Sequence, residues 1–203
     1  MKNKLLVLLL VTTSLLGLML GYALSFQTLA KDFLQEADSL RTQIYDLQSE
    51  LSSVQQQLTT KILGIHFSPE GGCTDQVTYW IGRANVSIHV LIYSFTLDSI
   101  GDALIDAYER GVEVRIVFEK SQISEYSEYG RLKAAGIMVR NDTNPDLMHD
   151  KVMIVDGVIV LTGSFNWSNN AEKNNNENLI IINSTYVARI YEEEFEEIWN
   201  KSI

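Results

Sequence analysis

His149 and Lys151 lie two residues apart, and an extended segment turns such a pair to one face. An imidazole beside a fixed cation can attack or deprotonate near phosphorus. Residues 152–155 form an apolar run that must be buried. A second apolar run, 158–161, leads into Gly163-Ser164-Phe165-Asn166. If the two runs pair, the Ser164 hydroxyl and the Asn166 amide return to the side of the histidine. One nucleophile or base, one cation and two neutral donors around a small volume suit a tetrahedral phosphate.

The elements that must position these residues are legible around them. Asp156-Gly157 between the two runs is a strong two-residue hairpin signal, so 147–155 and 158–161 are expected to pair. Upstream, strands are expected at 62–67, 86–95, 112–118 and 137–140. Helices are expected at 73–84, at 97–110 (closed by Gly111) and at roughly 125–135. A last strand at 178–182 and a last helix at 185–200 complete the pattern. Strands alternating with helices predict an α/β fold whose mixed sheet is flanked by helices on both sides. Asp156 falls in the hairpin turn, a structural place, and is read as scaffold together with Gly163.

Taken together, these residues resemble the phospholipase D superfamily, whose signature is His-x-Lys-x4-Asp followed after six residues by Gly-Ser-x-Asn. Here it reads His149, Lys151, Asp156, Gly163, Ser164 and Asn166 without departure. The resemblance extends over most of 62–201 and includes Phe67-Ser68-Pro69, Tyr93-Ser94-Phe95-Thr96 and Arg110-Gly111-Val112. It is strongest to the single-motif members, the small bacterial endonuclease and the membrane-anchored mitochondrial enzyme. The resemblance implies that His149 attacks phosphorus and that Lys151 and Asn166 hold the non-bridging oxygens, with Ser164 assisting. Glu177 matches the carboxylate that orients the histidine. It further implies that the second histidine comes from a twin subunit, because one chain carries one motif. The resemblance calls for no cofactor, and no acidic or Cys/His cluster has metal-ligand spacing. His89, mid-strand among apolar neighbours, reads as structural, as does His66.

The N-terminus adds a different kind of element. Lys2 and Lys4 precede an uncharged stretch at 5–24, long enough to span a bilayer, and residues 1–25 are read as a transmembrane signal-anchor. Ala23-Leu24-Ser25 leaves open cleavage and secretion. The lysines before the span place the remainder outside the cytoplasm. Phe26, Ala30, Phe33, Ala37, Leu40, Ile44, Leu47, Leu51, Val54 and Leu58 then alternate in steps of four and three, so 26–61 is read as a parallel coiled coil. A single amphipathic helix is the alternative. Residues 62–203 form the expected catalytic domain.

Charge complicates the choice of substrate. Residues 1–62 balance five basic against five acidic side chains, so the net charge of −10 lies in 63–203. Such a domain repels nucleic acid unless its charge is segregated. The acidic run Glu192-Glu193-Glu194 with Glu196 and Glu197 is expected to be a solvated helix face. Three functions compete: a homodimeric, metal-independent nuclease; a hydrolase of phospholipids; and a non-catalytic coiled-coil tether. The coiled coil, about 50 Å long, argues against lipid by lifting the site from its own membrane. The intact set of His149, Lys151, Asn166 and Glu177 argues against the tether.

Overall fold

In a computed structural model, the backbone of residues 2–203 and the side chains of 11–55 and 59–203 are described. The basic pair Lys2 and Lys4, the first part of the apolar stretch and heptad position Leu58 lie outside the described side chains. Contacts divide the chain into two units, Met1–Ser53 and Val54–Ile203.

The first unit is one helix. Helix α1 runs Lys2–Leu58 without interruption and is long and apolar enough, by length and composition, to cross a membrane. Phe26, Phe33, Leu40, Ile44, Leu47 and Leu51 are all exposed in the single chain. Pairing with another helix would take such an apolar stripe out of water.

The second unit is a seven-stranded sheet of order β1-β7-β6-β5-β2-β3-β4. Its strands are β1 Lys61–Ser68, β2 Ser87–Ile92, β3 Glu113–Phe118, β4 Met138–Asn141, β5 Lys151–Val155, β6 Ile159–Gly163 and β7 Glu177–Asn183. β2, β3 and β4 pair in parallel; the remaining pairings are antiparallel, which makes the sheet mixed as expected. The parallel pairs need crossovers. Helices α3 (Asp98–Glu109) and α4 (Tyr129–Ala134) supply them.

Helix α2 (Cys73–Arg83) packs on the same face as α3. Val77, Ile81, Ile100 and Leu104 meet Ile88, Val90, Ile92 and Ile116 in the larger core. On the opposite face Ala188, Phe195 and Trp199 of α6 (Thr185–Lys201) cover Leu91, Val117, Val152 and Ile154. Both faces of β2 and β5 are therefore buried, which explains their unbroken apolar runs. The Ser184 hydroxyl starts α6 by accepting from the Val187 amide at 3.2 Å, a cap that contributes about 1 kcal/mol.

Three expected elements need correction, and one helix is added. The strand expected from 147 begins only at Lys151, so His149 precedes the strand and is not part of it. The strand expected at 86–95 is limited to Ser87–Ile92, and the helix expected at 125–135 is limited to Tyr129–Ala134. A short helix, α5 (Asn169–Lys173), was not anticipated; Ser168 caps it by accepting from Ala171 N–H at 3.2 Å.

The acidic run is only partly a solvated face. Glu192 accepts from His89 Nδ1 at 2.6 Å, and Glu196 accepts from Arg115 at 2.6 Å, while Glu193 and Glu197 pair with Arg189 and Lys201 along the exposed side. His89 is buried, stacks on Phe195 at 4.6 Å and accepts from Arg115 at its Nε2, a structural role as expected.

Candidate active site

The hairpin signal and the signature residues occupy opposite ends of the same two strands. At one end Asp156 and Gly157 both have positive φ, 53° and 63°, as a type I′ turn requires. The Asp156 carboxylate accepts from the backbone amides of Asn85, Val86 and Ser87 at 2.8–3.2 Å. Burial raises its pKa, but the Ser87, Val86 and Asn85 donors outweigh burial and hold it below the ordinary value.

The other end gathers the start of β5, the end of β6 and the start of β7, because antiparallel register brings Val152 opposite Thr162 and Gly163 opposite Leu179. There a depression of about 410 Å³ is lined by His149, Lys151, Gly163, Ser164, Asn166, Glu177 and Asn178. The six residues named from sequence for this end therefore converge on one pocket. Gly163 is required by close approach: its φ is 151°, and a Cβ there would sit 2.2 Å from the Asn178 carbonyl oxygen.

Each donor in the pocket is held by a bond that leaves other hydrogens free. Lys151 is 8% exposed, and its Nζ donates to the His149 carbonyl at 2.7 Å and lies 4.7 Å over the Tyr93 ring. An ammonium has three hydrogens, so two remain. Asn166 Oδ1 accepts from Ser94 N–H at 3.3 Å, leaving the amide NH₂ to donate. Ser164 Oγ accepts from the Asn178 backbone N–H at 3.0 Å and from its side chain at 3.3 Å, which leaves the hydroxyl hydrogen unassigned. Acceptors occupied and donors free is the signature of an anion site. Burial pushes the Lys151 pKa below its ordinary value, against opposing pulls from Asp150 and Glu177.

His149 is exposed, with its ring 4.4 Å from that of Tyr93. Glu177 Oε1 accepts from Asn175 Nδ2 at 2.9 Å, and among the described residues no hydrogen bond joins it to His149. The loop Asn174-Asn175-Asn176 is thus tied down; Ser68 Oγ also donates to the Asn175 carbonyl at 3.1 Å. The Cys73 thiol is buried and pushed up to about 11 by burial, then by Glu172 and Glu177, so it is not a competing nucleophile. A larger cavity of about 680 Å³ beside α6 is lined by Asp142, Asp150, Glu194 and Glu197 among others, and this acidic lining does not suit phosphate.

Sequence reasoning missed Tyr93, Asn178 and Glu119. Tyr93 packs against both His149 and Lys151, and its Oη accepts from Gln122 Nε2 at 3.2 Å. A polar Tyr-Ser pair at the end of an apolar strand was the available signal. Asn178 alternates with buried Leu179 at the start of β7. Glu119 follows the apolar strand β3, and its partner Met148 lies 29 residues away.

Comparison with known proteins bears on this geometry. The family described as cardiolipin synthase, PLD-like domain, matches residues 77–199. A mitochondrial cardiolipin hydrolase of Xenopus tropicalis is 35% identical over 120 residues, 59% of this chain and 57% of that protein. A phospholipase D of Rickettsia prowazekii is 40% identical over 126 residues, 62% of each chain. The chain therefore spans less than two thirds of the length of these relatives. The solved structure of Nuc from Salmonella typhimurium, a phospholipase D family member, is 36% identical with a TM-score of 0.67. That match covers 71% of this chain and 97% of Nuc.

Proposed function

The chain belongs to the phospholipase D superfamily, and we propose that it is a membrane-anchored, homodimeric, metal-independent phosphodiesterase acting on nucleic acid. The observation that carries the phosphodiester reading is the donor set. Lys151, Ser164 and Asn166 each keep hydrogens free toward one polar depression that His149 also lines.

In the proposed reaction His149 attacks phosphorus, the P–N bond forms and the bond to the leaving oxygen breaks. The leaving oxygen takes a proton from the second histidine, supplied by His149 of a twin chain. That histidine, now neutral, removes a proton from water, which attacks phosphorus and releases His149. Lys151 and Asn166 hold the non-bridging oxygens as charge develops, and Ser164 assists. Glu177, which lines the same pocket, is the carboxylate that orients the histidine. Asp156 and Gly163 are scaffold.

Dimerisation is supported by two apolar surfaces that a single chain leaves in water. One is the heptad seam of α1. The other is the edge strand β1, whose Ile65 and Phe67 are 53% and 61% exposed and pair in register with Ile180 and the pocket residue Asn178. A twin chain covering β1 would adjoin the pocket that needs its histidine.

Nucleic acid is favoured over lipid because every side chain lining the depression is polar. A phospholipid substrate is the second reading, favoured by the names of the cardiolipin hydrolase and phospholipase D relatives. The test uses the full chain in detergent with excess chelator. Its substrates are single- and double-stranded DNA, RNA, anionic phospholipid vesicles and a chromogenic phosphodiester. Nucleic-acid cleavage exceeding lipid hydrolysis at least tenfold supports this reading; the reverse ratio selects the second. Leu47→Lys in the seam should shift sedimentation toward monomer and lower activity in a concentration-dependent way. A monomeric wild-type chain with full activity would contradict the shared site.

A further inference from the structure

We propose that Glu119 is the positioning residue of the nucleophile: its carboxylate fastens the Met148 backbone and thereby sets where His149 stands over the pocket. The inference rests on reading His149 as the nucleophile.

His149 needs such a fastening. Because β5 begins at Lys151, the histidine lies outside the sheet ladder that would otherwise fix it. Its two neighbours are each tied to the end of a different strand. On one side Tyr93 N–H, just past β2, donates to the Asp150 carbonyl at 3.0 Å. On the other, Met148 N–H donates to Glu119 Oε2 at 2.8 Å, just past β3. Glu119 has 0% of its surface exposed, and its own N–H donates to the Ile92 carbonyl at 3.1 Å.

The residue type follows from the task. A buried carboxylate is costly unless its oxygens are satisfied. Glu119 meets that condition with two backbone amides, Met148 on Oε2 and Ser121 on Oε1 at 3.0 Å. A carboxylate is acceptor-only, whereas a glutamine would aim an NH₂ at one of the two N–H groups. Aspartate is one methylene too short to bridge the same pair. Burial raises the Glu119 pKa, but the Ser121 and Met148 bonds outweigh it and keep the group ionised below the ordinary carboxylate range. The same turn reaches His149 by a second route, because Gln122 donates to Tyr93 Oη and the Tyr93 ring backs the imidazole.

The test uses the full chain in detergent, labelled at its 3 histidines and 5 methionines for magnetic resonance. In Glu119→Gln the Met148 amide should exchange at least tenfold faster. The His149 ring signals should shift while those of buried His89 stay in place. Far below the melting temperature, kcat should fall at least tenfold with KM within about threefold, and Glu119→Asp should recover part of it. Where Glu119→Gln fails to fold, Glu119→Asp is compared with the wild type instead and should move the same readouts in the same directions by a smaller amount. Unchanged His149 signals and Met148 exchange would overturn the proposal, as would full kcat with only a lowered melting temperature. Wild-type protein that cleaves no phosphodiester contradicts the proposed function instead, and the resonance measurements still decide the role of Glu119.

Discussion

The two ends of the β5–β6 hairpin carry residues of one signature and use them oppositely. At the turn, both Asp156 oxygens accept from three successive backbone amides, which fastens the hairpin to the start of β2. At the open end, Lys151, Ser164 and Asn166 are anchored through one bond or through their acceptors and keep donors free. A signature residue is scaffold where its hydrogen bonds fasten one part of the backbone to another. It serves chemistry where the capacity left over has one sign and one direction.

That contrast can be broken most severely at His149. His149→Asn should lower turnover by a factor on the order of 10³ or more, measured against any phosphodiester the wild type cleaves, with little change in melting temperature. An unchanged rate would remove the nucleophile from the account. Lys151→Ala or Asn166→Ala should each lower kcat by about 10²-fold, the usual effect of deleting one preorganised donor. Ser164→Ala, with its assisting role, should cost about tenfold.

Lys151 also gives the open end a pH signature. Burial depresses its pKa, so the ammonium is lost at lower pH than the 10.5 of an ordinary lysine. Activity should therefore fall on the alkaline side before pH 10.5, and Lys151→Arg should move that limb upward if it retains turnover. A limb that stays where it is would assign the loss to another group.

Asp156 should behave in the opposite way. Asp156→Asn should cost about 1.5–3 kcal/mol of stability by chemical denaturation, the range for hydrogen bonds to a charged group, while kcat changes less than twofold. The folded carboxylate has a pKa below its ordinary 3.8, so its contribution is fully present above that value. It is lost as pH falls through the lower, folded pKa. The wild type should lose this increment in acid and the variant should not. A large fall in kcat for Asp156→Asn would erase the distinction between the two ends.

Much of this arrangement was legible in the residues. The mixed sheet followed from apolar runs punctuated by Gly111 and Asp156-Gly157, and the pocket followed from the spacing of His149, Lys151, Ser164 and Asn166. What was illegible depends on contacts between distant residues. Residues 147–150 looked like the start of a strand because Leu147 and Met148 are apolar, but Met148 N–H is taken by Glu119 and not by a neighbouring strand. Helix α5 is too short for helical periodicity to register and is held by a Ser168 cap and by Glu172, which accepts from Thr74 at the start of α2. Glu192 and Glu196 read as solvent-facing because their partners, His89 and Arg115, sit on other elements. For α1, the apolar repeat lies exposed in one chain, and its pairing into a coiled coil belongs to the proposal.

The most direct test is mass spectrometry of the full chain, denatured at alkaline pH to preserve the acid-labile P–N bond, during turnover of a slow phosphodiester in excess chelator. A covalent phosphoryl adduct is expected on the peptide bearing His149 and is expected to be absent from His149→Asn. Turnover with the adduct on another residue, or undiminished turnover in the variant, would contradict it.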